Sequence, residues 1–138
     1  MECYLCKKHA GELGAPPGGY IYEDARWKVC HAPAEKGPLG TLLVESRRHF
    51  LDFAEMLPDE ASGYGTLLKR LYTELRVLTG AERIYQVVLL EGVQHFHVWI
   101  LPRTKEIPER GLAFLQKDIT CEETSAQKLA TALRMVLN

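Results

Sequence analysis

The sequence predicts an α+β fold, an antiparallel sheet of about five strands with helices packed on one face, and three observations predict it. The run His95-Phe96-His97-Val98-Trp99-Ile100-Leu101 alternates polar and apolar positions as a half-buried strand does. Four other short β-prone runs are separated by turn-forming residues. Two segments, one central and one at the end of the chain, instead repeat apolar residues at the 3.6-residue period of amphipathic helices.

Composition sets the outer bounds. The 138 residues suit one domain over 1–138. Seventeen Lys+Arg balance 18 Asp+Glu, a formal net charge of −1, so no extended nucleic acid is expected as a partner and any phosphate must be bound locally. No apolar run approaches a membrane span, and the N-terminus lacks the basic-then-apolar order of a secretory signal. A soluble, cytoplasmic protein is expected, with no membrane partner.

The elements follow in order. Met1-Glu2-Cys3-Tyr4-Leu5-Cys6-Lys7-Lys8-His9 reads as a compact turn, and Pro16-Pro17-Gly18-Gly19 as a loop. Gly19–Glu23 and Trp27–His31 read as a hairpin about Asp24-Ala25-Arg26, and Gly40–Glu45 as a third strand followed by Ser46-Arg47-Arg48-His49. Leu57-Pro58-Asp59-Glu60 starts a helix, with proline in the first turn and acids facing the positive end of the helix dipole, that runs to Thr79 and stops at Gly80. Its stripe of Tyr64, Leu67, Leu68, Leu71, Leu75 and Leu78 is read as core. Ile84–Leu90 reads as a strand that turns at Glu91-Gly92 and pairs antiparallel with the His95 strand. Gly111–Leu115 reads as an edge strand. Thr120 and Glu123 read as a capping box for a last helix bearing Ala126, Leu129, Ala130, Leu133 and Val136.

Two chemistries stand out. Alternation puts His95, His97 and Trp99 on one face, with the two imidazoles about 7 Å apart, either as a paired site or as polar residues on a solvated face. Cys3-x-x-Cys6 has metal-knuckle spacing but supplies only half of a tetrahedral site, leaving His9, His31, His49 and His95 as imidazoles that could complete it. A redox pair and two idle thiols are the other readings of that motif.

Taken together, His95-Phe-His97-Val-Trp99-Ile-Leu-Pro-Arg103, the Cys3/Cys6 start, Tyr22-Glu23-Asp24, Gly40–His49 and the helix from Pro58 resemble the zinc-containing type of the histidine triad (HIT) nucleotide hydrolase and transferase superfamily. The resemblance covers most of the chain. It implies a structural zinc ion (Zn2+) on Cys3, Cys6, His49 and His95, and a catalytic His97 that attacks the α-phosphate of a nucleoside phosphate conjugate to form a nucleotidyl-histidine intermediate. It also implies a homodimer. Trp99 stands where the third histidine of the family belongs, and His31 lies near the place of the family's acidic ribose ligand. In the segment that usually holds phosphate, Gln94 is the polar contact. Gln94, Trp99 and His31 are therefore the expected substrate-binding residues. The alternatives are a weak or inactive relative that binds a nucleotide or another phosphorylated ligand, and a structural interaction module.

Overall fold

Alternate side chains of each strand point to opposite faces of the sheet, and along the strand at 97–103 burial follows the alternation, with Val98 and Ile100 buried between the half-buried His97, Trp99 and Leu101. The computed structural model describes residues 2–138. Its elements are α1 (Tyr4–His9), β1 (Tyr22–Glu23), β2 (Trp27–His31), β3 (Leu42–Ser46), α2 (Pro58–Thr79), β4 (Arg83–Val87), β5 (His97–Arg103), α3 (Leu112–Gln116) and α4 (Glu123–Leu137). The strands form one five-stranded antiparallel sheet in the order β1-β2-β3-β5-β4. Among the described residues no helix is long and apolar enough to cross a membrane.

On one face Val29, Val44, Val98 and Ile100 are wholly buried, together with Phe96 just before β5. They pack with Leu71 and Leu75 of α2 and with Ala130 and Leu133 of α4. The expected stripe of α2 holds at Leu67, Leu68, Leu71 and Leu75 but not at Leu78, which is exposed near the helix end. On α4 the buried C-terminal residue is Leu137, whereas Val136 is exposed. Gly80 ends α2 in the left-handed conformation, φ 72°, and its N–H donates to Arg76 O, as the sequence predicts.

The other face carries Cys30, Ala32 and Leu43, with Tyr20 and Trp99 packed against them. Here β3 pairs with β5 so that Leu43 opposes Trp99 and Glu45 opposes His97. The N-terminal segment, expected as a turn, is instead the helix α1. It lies over this second face, where Lys8 reaches Glu45 at 2.6 Å.

Three further expectations are corrected. Gly111–Leu115 is not an edge strand: residues Leu112–Gln116 form α3, whose Phe114 stacks on Tyr85 of β4 at 5.1 Å between ring centroids. Nor does Thr120 cap α4, which begins at Glu123 with Glu122 as N-cap and no side-chain cap. Cys121 N–H donates to Ala34 O at 2.9 Å, holding the approach extended past the point where Thr120 could have capped. The chain between β4 and β5 is also longer than a tight turn, with Leu90 at φ 59° within it.

Candidate functional site

The end of β3 and the start of β5 are tied together by backbone. Phe96 N–H donates to Phe50 O at 2.7 Å and Ser46 N–H to Phe96 O at 3.1 Å, which brings the Arg47–His49 segment against His95. Cys3, the N-cap of α1, and Cys6, one turn on, complete the group from above. The ligand atoms of Cys3, Cys6, His49 and His95 all lie within 4.8 Å of one another.

Their separations fit a metal ion. A tetrahedron with Zn–S of about 2.3 Å and Zn–N of about 2.0–2.1 Å has S···N edges of about 3.5 Å and an N···N edge of about 3.3 Å. The Cys3 sulfur is 3.4 Å from His95 Nδ1, and the Cys6 sulfur is 3.6 Å from His49 Nδ1 and 3.7 Å from His95 Nδ1. The two Nδ1 atoms are 3.2 Å apart. The tautomer of His95 agrees: Nε2 lies 2.7 Å from the Ser46 carbonyl, which can only accept, so Nε2 carries the proton and Nδ1 presents a lone pair to the cluster. Burial, then repulsion from His49, depresses the basicity of His95, and burial beside the Cys3 thiol raises Cys6. A cation among these four atoms would favour the Cys6 thiolate and would take the neutral His95 as its ligand.

His97 begins β5 two residues on. Its Nδ1–H donates to the His95 carbonyl at 2.7 Å, so in the neutral ring the lone pair is on Nε2. The ring lines a cavity of about 500 Å³ between α1, the Gly14–Pro17 loop and the second face of the sheet. That size is typical of small-molecule sites.

The expected substrate residues divide. Trp99 lines this cavity next to His97 on the same face, and His31, whose cross-strand partner is Leu42, reaches its wall from the end of β2. His31 donates from Nδ1 to Ala32 O at 2.7 Å and accepts at Nε2 from Gly40 N–H at 2.9 Å, so both ring nitrogens are taken by backbone. Burial holds its basicity below the ordinary value, and the ring is neutral. Gln94 is exposed and not part of the cavity wall, where Val93 stands instead. Arg103, at the far end of β5, is buried against Glu82 at 3.0 Å and away from the cavity.

A cluster that sequence reasoning missed sits beside His97. Glu45 is fully buried on the second face. Its Oε1 accepts from His9 Nε2–H at 2.9 Å and from the Tyr20 hydroxyl at 3.1 Å, and its Oε2 accepts from Lys8 Nζ at 2.6 Å. Burial alone would raise this carboxyl, but the His9 hydrogen bond and the Lys8 charge outweigh it and hold the group ionised below the usual range. Burial, reinforced by Glu45, pushes the neighbouring Cys30 thiol up to about 12, so its sulfur is a neutral acceptor for Lys8 at 3.2 Å. The one local signal was a glutamate in the middle of an apolar strand.

Neither a family model nor a curated protein sequence matches the chain. Solved structures do. A Zn-bound histidine triad family protein from Mycobacterium smegmatis superposes with a TM-score of 0.77 over 99% of this chain and 96% of that one, at 20% identity. A Hit-like protein involved in cell-cycle regulation from Bartonella henselae gives 0.75 over 99% and 97%, at 14% identity. A hypothetical histidine triad nucleotide-binding protein from Sulfolobus tokodaii gives 0.74 over 96% and 90%, at 17% identity. The agreement runs nearly end to end in both partners, and the chain has the fold of the histidine triad proteins.

Proposed function

We propose that the chain is a HIT-like nucleotide hydrolase or nucleotidyltransferase that acts at the α-phosphate of a nucleoside phosphate conjugate through His97. The observation that carries this reading is the His97–His95 carbonyl hydrogen bond of 2.7 Å, which fixes the tautomer whose Nε2 lone pair is free beside a small-molecule cavity. Nε2 attacks phosphorus, a P–N bond forms, and the bond to the leaving group breaks with its electron pair going to that group. Water or another acceptor then attacks phosphorus and gives its proton to solvent, the P–N bond breaks, and the imidazole is restored. In this reading Cys3, Cys6, His49 and His95 hold a zinc ion. Four protein ligands leave no open position, so the ion supplies cohesion between α1 and the sheet. The proposal includes a homodimer in the cytoplasm. Exposed Val77 and Leu78 near the end of α2, and Val88 and Leu89 beyond β4, support the self-association.

One observation favours a second reading, a nucleotide-binding relative with weak or no turnover. Trp99 packs on Cys30, Ala32 and Leu43 and brings an indole N–H that donates a hydrogen bond but exchanges no proton. Turnover of adenosine 5′-phosphoramidate separates the two. The first reading expects release of adenosine 5′-monophosphate by the wild-type protein and none by His97→Ala. Tight adenosine 5′-monophosphate binding without turnover would establish the second.

A further inference from the structure

We propose that Lys8 binds the substrate phosphate, supplying from α1 a contact that the segment before His95 does not provide. The inference rests on the nucleotidyl-transfer reading and adds a residue to it. A phosphate at His97 Nε2 needs donors for its non-bridging oxygens. Val93 lines the cavity and Gln94 lies outside its wall, so the approach to His95 contributes no side-chain donor there.

Two lysines line the cavity, Lys8 and Lys36. Lys36 is solvent-exposed, and screening there weakens its pull on an anion. The side chain of Lys8 is only 9% exposed. An ammonium has three N–H donors. In Lys8 one goes to Glu45 Oε2 at 2.6 Å and one to Cys30 at 3.2 Å, leaving the third for a ligand.

Position favours the same role. Glu45 and His97 are direct partners across β3 and β5, and side chains of such pairs stand about 4.5–5.5 Å apart at Cβ. The carboxylate that anchors Lys8 therefore stands beside the nucleophile's ring. Glu45 Oε1 accepts from His9 and Tyr20, and Oε2 accepts from Lys8 and from the Cys30 thiol at 3.8 Å, so the carboxylate turns no free lone pair toward an incoming phosphate. The rigid pair sets the ammonium in place before the ligand arrives, which reduces the ordering cost of binding.

The alternative is that Lys8 serves only as counterion to a buried glutamate. Calorimetric titration of the zinc-loaded protein with adenosine 5′-monophosphate and with adenosine separates the two. Lys8→Met should weaken monophosphate binding about 10- to 100-fold, the range of a charge-assisted hydrogen bond, and leave adenosine binding unchanged. The double variant Lys8→Met/Glu45→Gln removes the charge left unpaired by the single change, so it keeps the fold. It should still bind the monophosphate as weakly as Lys8→Met. Lys7→Met, on the same helix but paired with Glu2, should bind as the wild type does. Recovery of wild-type affinity in the double variant, or an unaltered affinity in Lys8→Met, would overturn the proposal. A wild-type protein that binds neither ligand and forms no adduct would instead remove the reading beneath it.

Discussion

Removing the metal should release α1. Ordering the backbone of six helical residues costs roughly 6–12 kcal/mol at about 1–2 kcal/mol per residue. Without the metal, α1 is held by buried Leu5, contributing about 2 kcal/mol, and by the Lys8 and His9 contacts to Glu45 at 2.6 and 2.9 Å. At about 1.5–3 kcal/mol each, those contacts bring the total to roughly 5–8 kcal/mol. The shortfall is about 3 kcal/mol, which a structural zinc, at roughly 10–16 kcal/mol of apparent binding free energy in small sites, readily supplies. What chelation removes is the ion's surplus over that shortfall, so it should lower Tm by more than about 10 °C for a chain of this length and abolish hydrogen-exchange protection of the amides from Lys7 to Ala10, while the β3–β5 amides stay protected. Elemental analysis of the treated sample must show that metal present beforehand has gone. An unchanged Tm with α1 still protected after that loss would refute the argument.

Other outcomes follow from the same contacts. Gly40→Ala should cost about 2–4 kcal/mol in chemical denaturation, because Gly40 has φ +94° and an added Cβ would lie 2.8 Å from the Pro102 ring. Acidification should destabilise the metal-loaded protein in two windows. His31 is held below its ordinary value of 6.5, so the unfolded chain takes up its proton first and stability falls as pH drops below about 6.5. Glu45 is held below 4.5, so its contribution is present above that value and is lost as pH falls through its lower folded value. A Tm profile of His31→Gln should lack the first window, and an unaltered profile would contradict the assignment. Trp99→His should raise turnover of conjugates with basic leaving groups more than those with acidic ones, since only the former need a proton, worth typically 10²–10⁴-fold. Equal gains on both classes, in a folded variant that keeps its metal, would contradict that role.

How much of this was legible in the sequence depends on whether the signal is local. Phe96, Val98 and Ile100 alternate with His97 and Trp99 along one strand, and Gly80 stops a long periodic helix, so the sheet's faces and the end of α2 could be read directly. A five-residue run such as Leu112–Gln116 carries no period that separates strand from helix, and only Tyr85 and Phe114 in contact decide it. Helix α1 is too short to announce itself, because its stability comes from groups 22 to 92 residues away. The cysteine spacing made a metal site visible, but a bare CxxC could not choose among the available histidines. In the fold His49 and His95 stand with the two cysteines, whereas His9 turns to Glu45 and His31 to backbone. Lys8 and Glu45 escaped for the same reason as α1: each is an ordinary charged residue until the sheet brings them together.

The central claim is that His97 Nε2 carries the nucleotidyl group, and intact-mass spectrometry tests it most directly. The zinc-loaded protein would be mixed with adenosine 5′-phosphoimidazolide, quenched within one turnover, and the modified residue mapped by peptide fragmentation. The account predicts one adenylyl group per chain, attached to His97 and missing from a folded His97→Ala variant. An adduct on another residue, or none from a reagent that the protein nonetheless consumes, would contradict it.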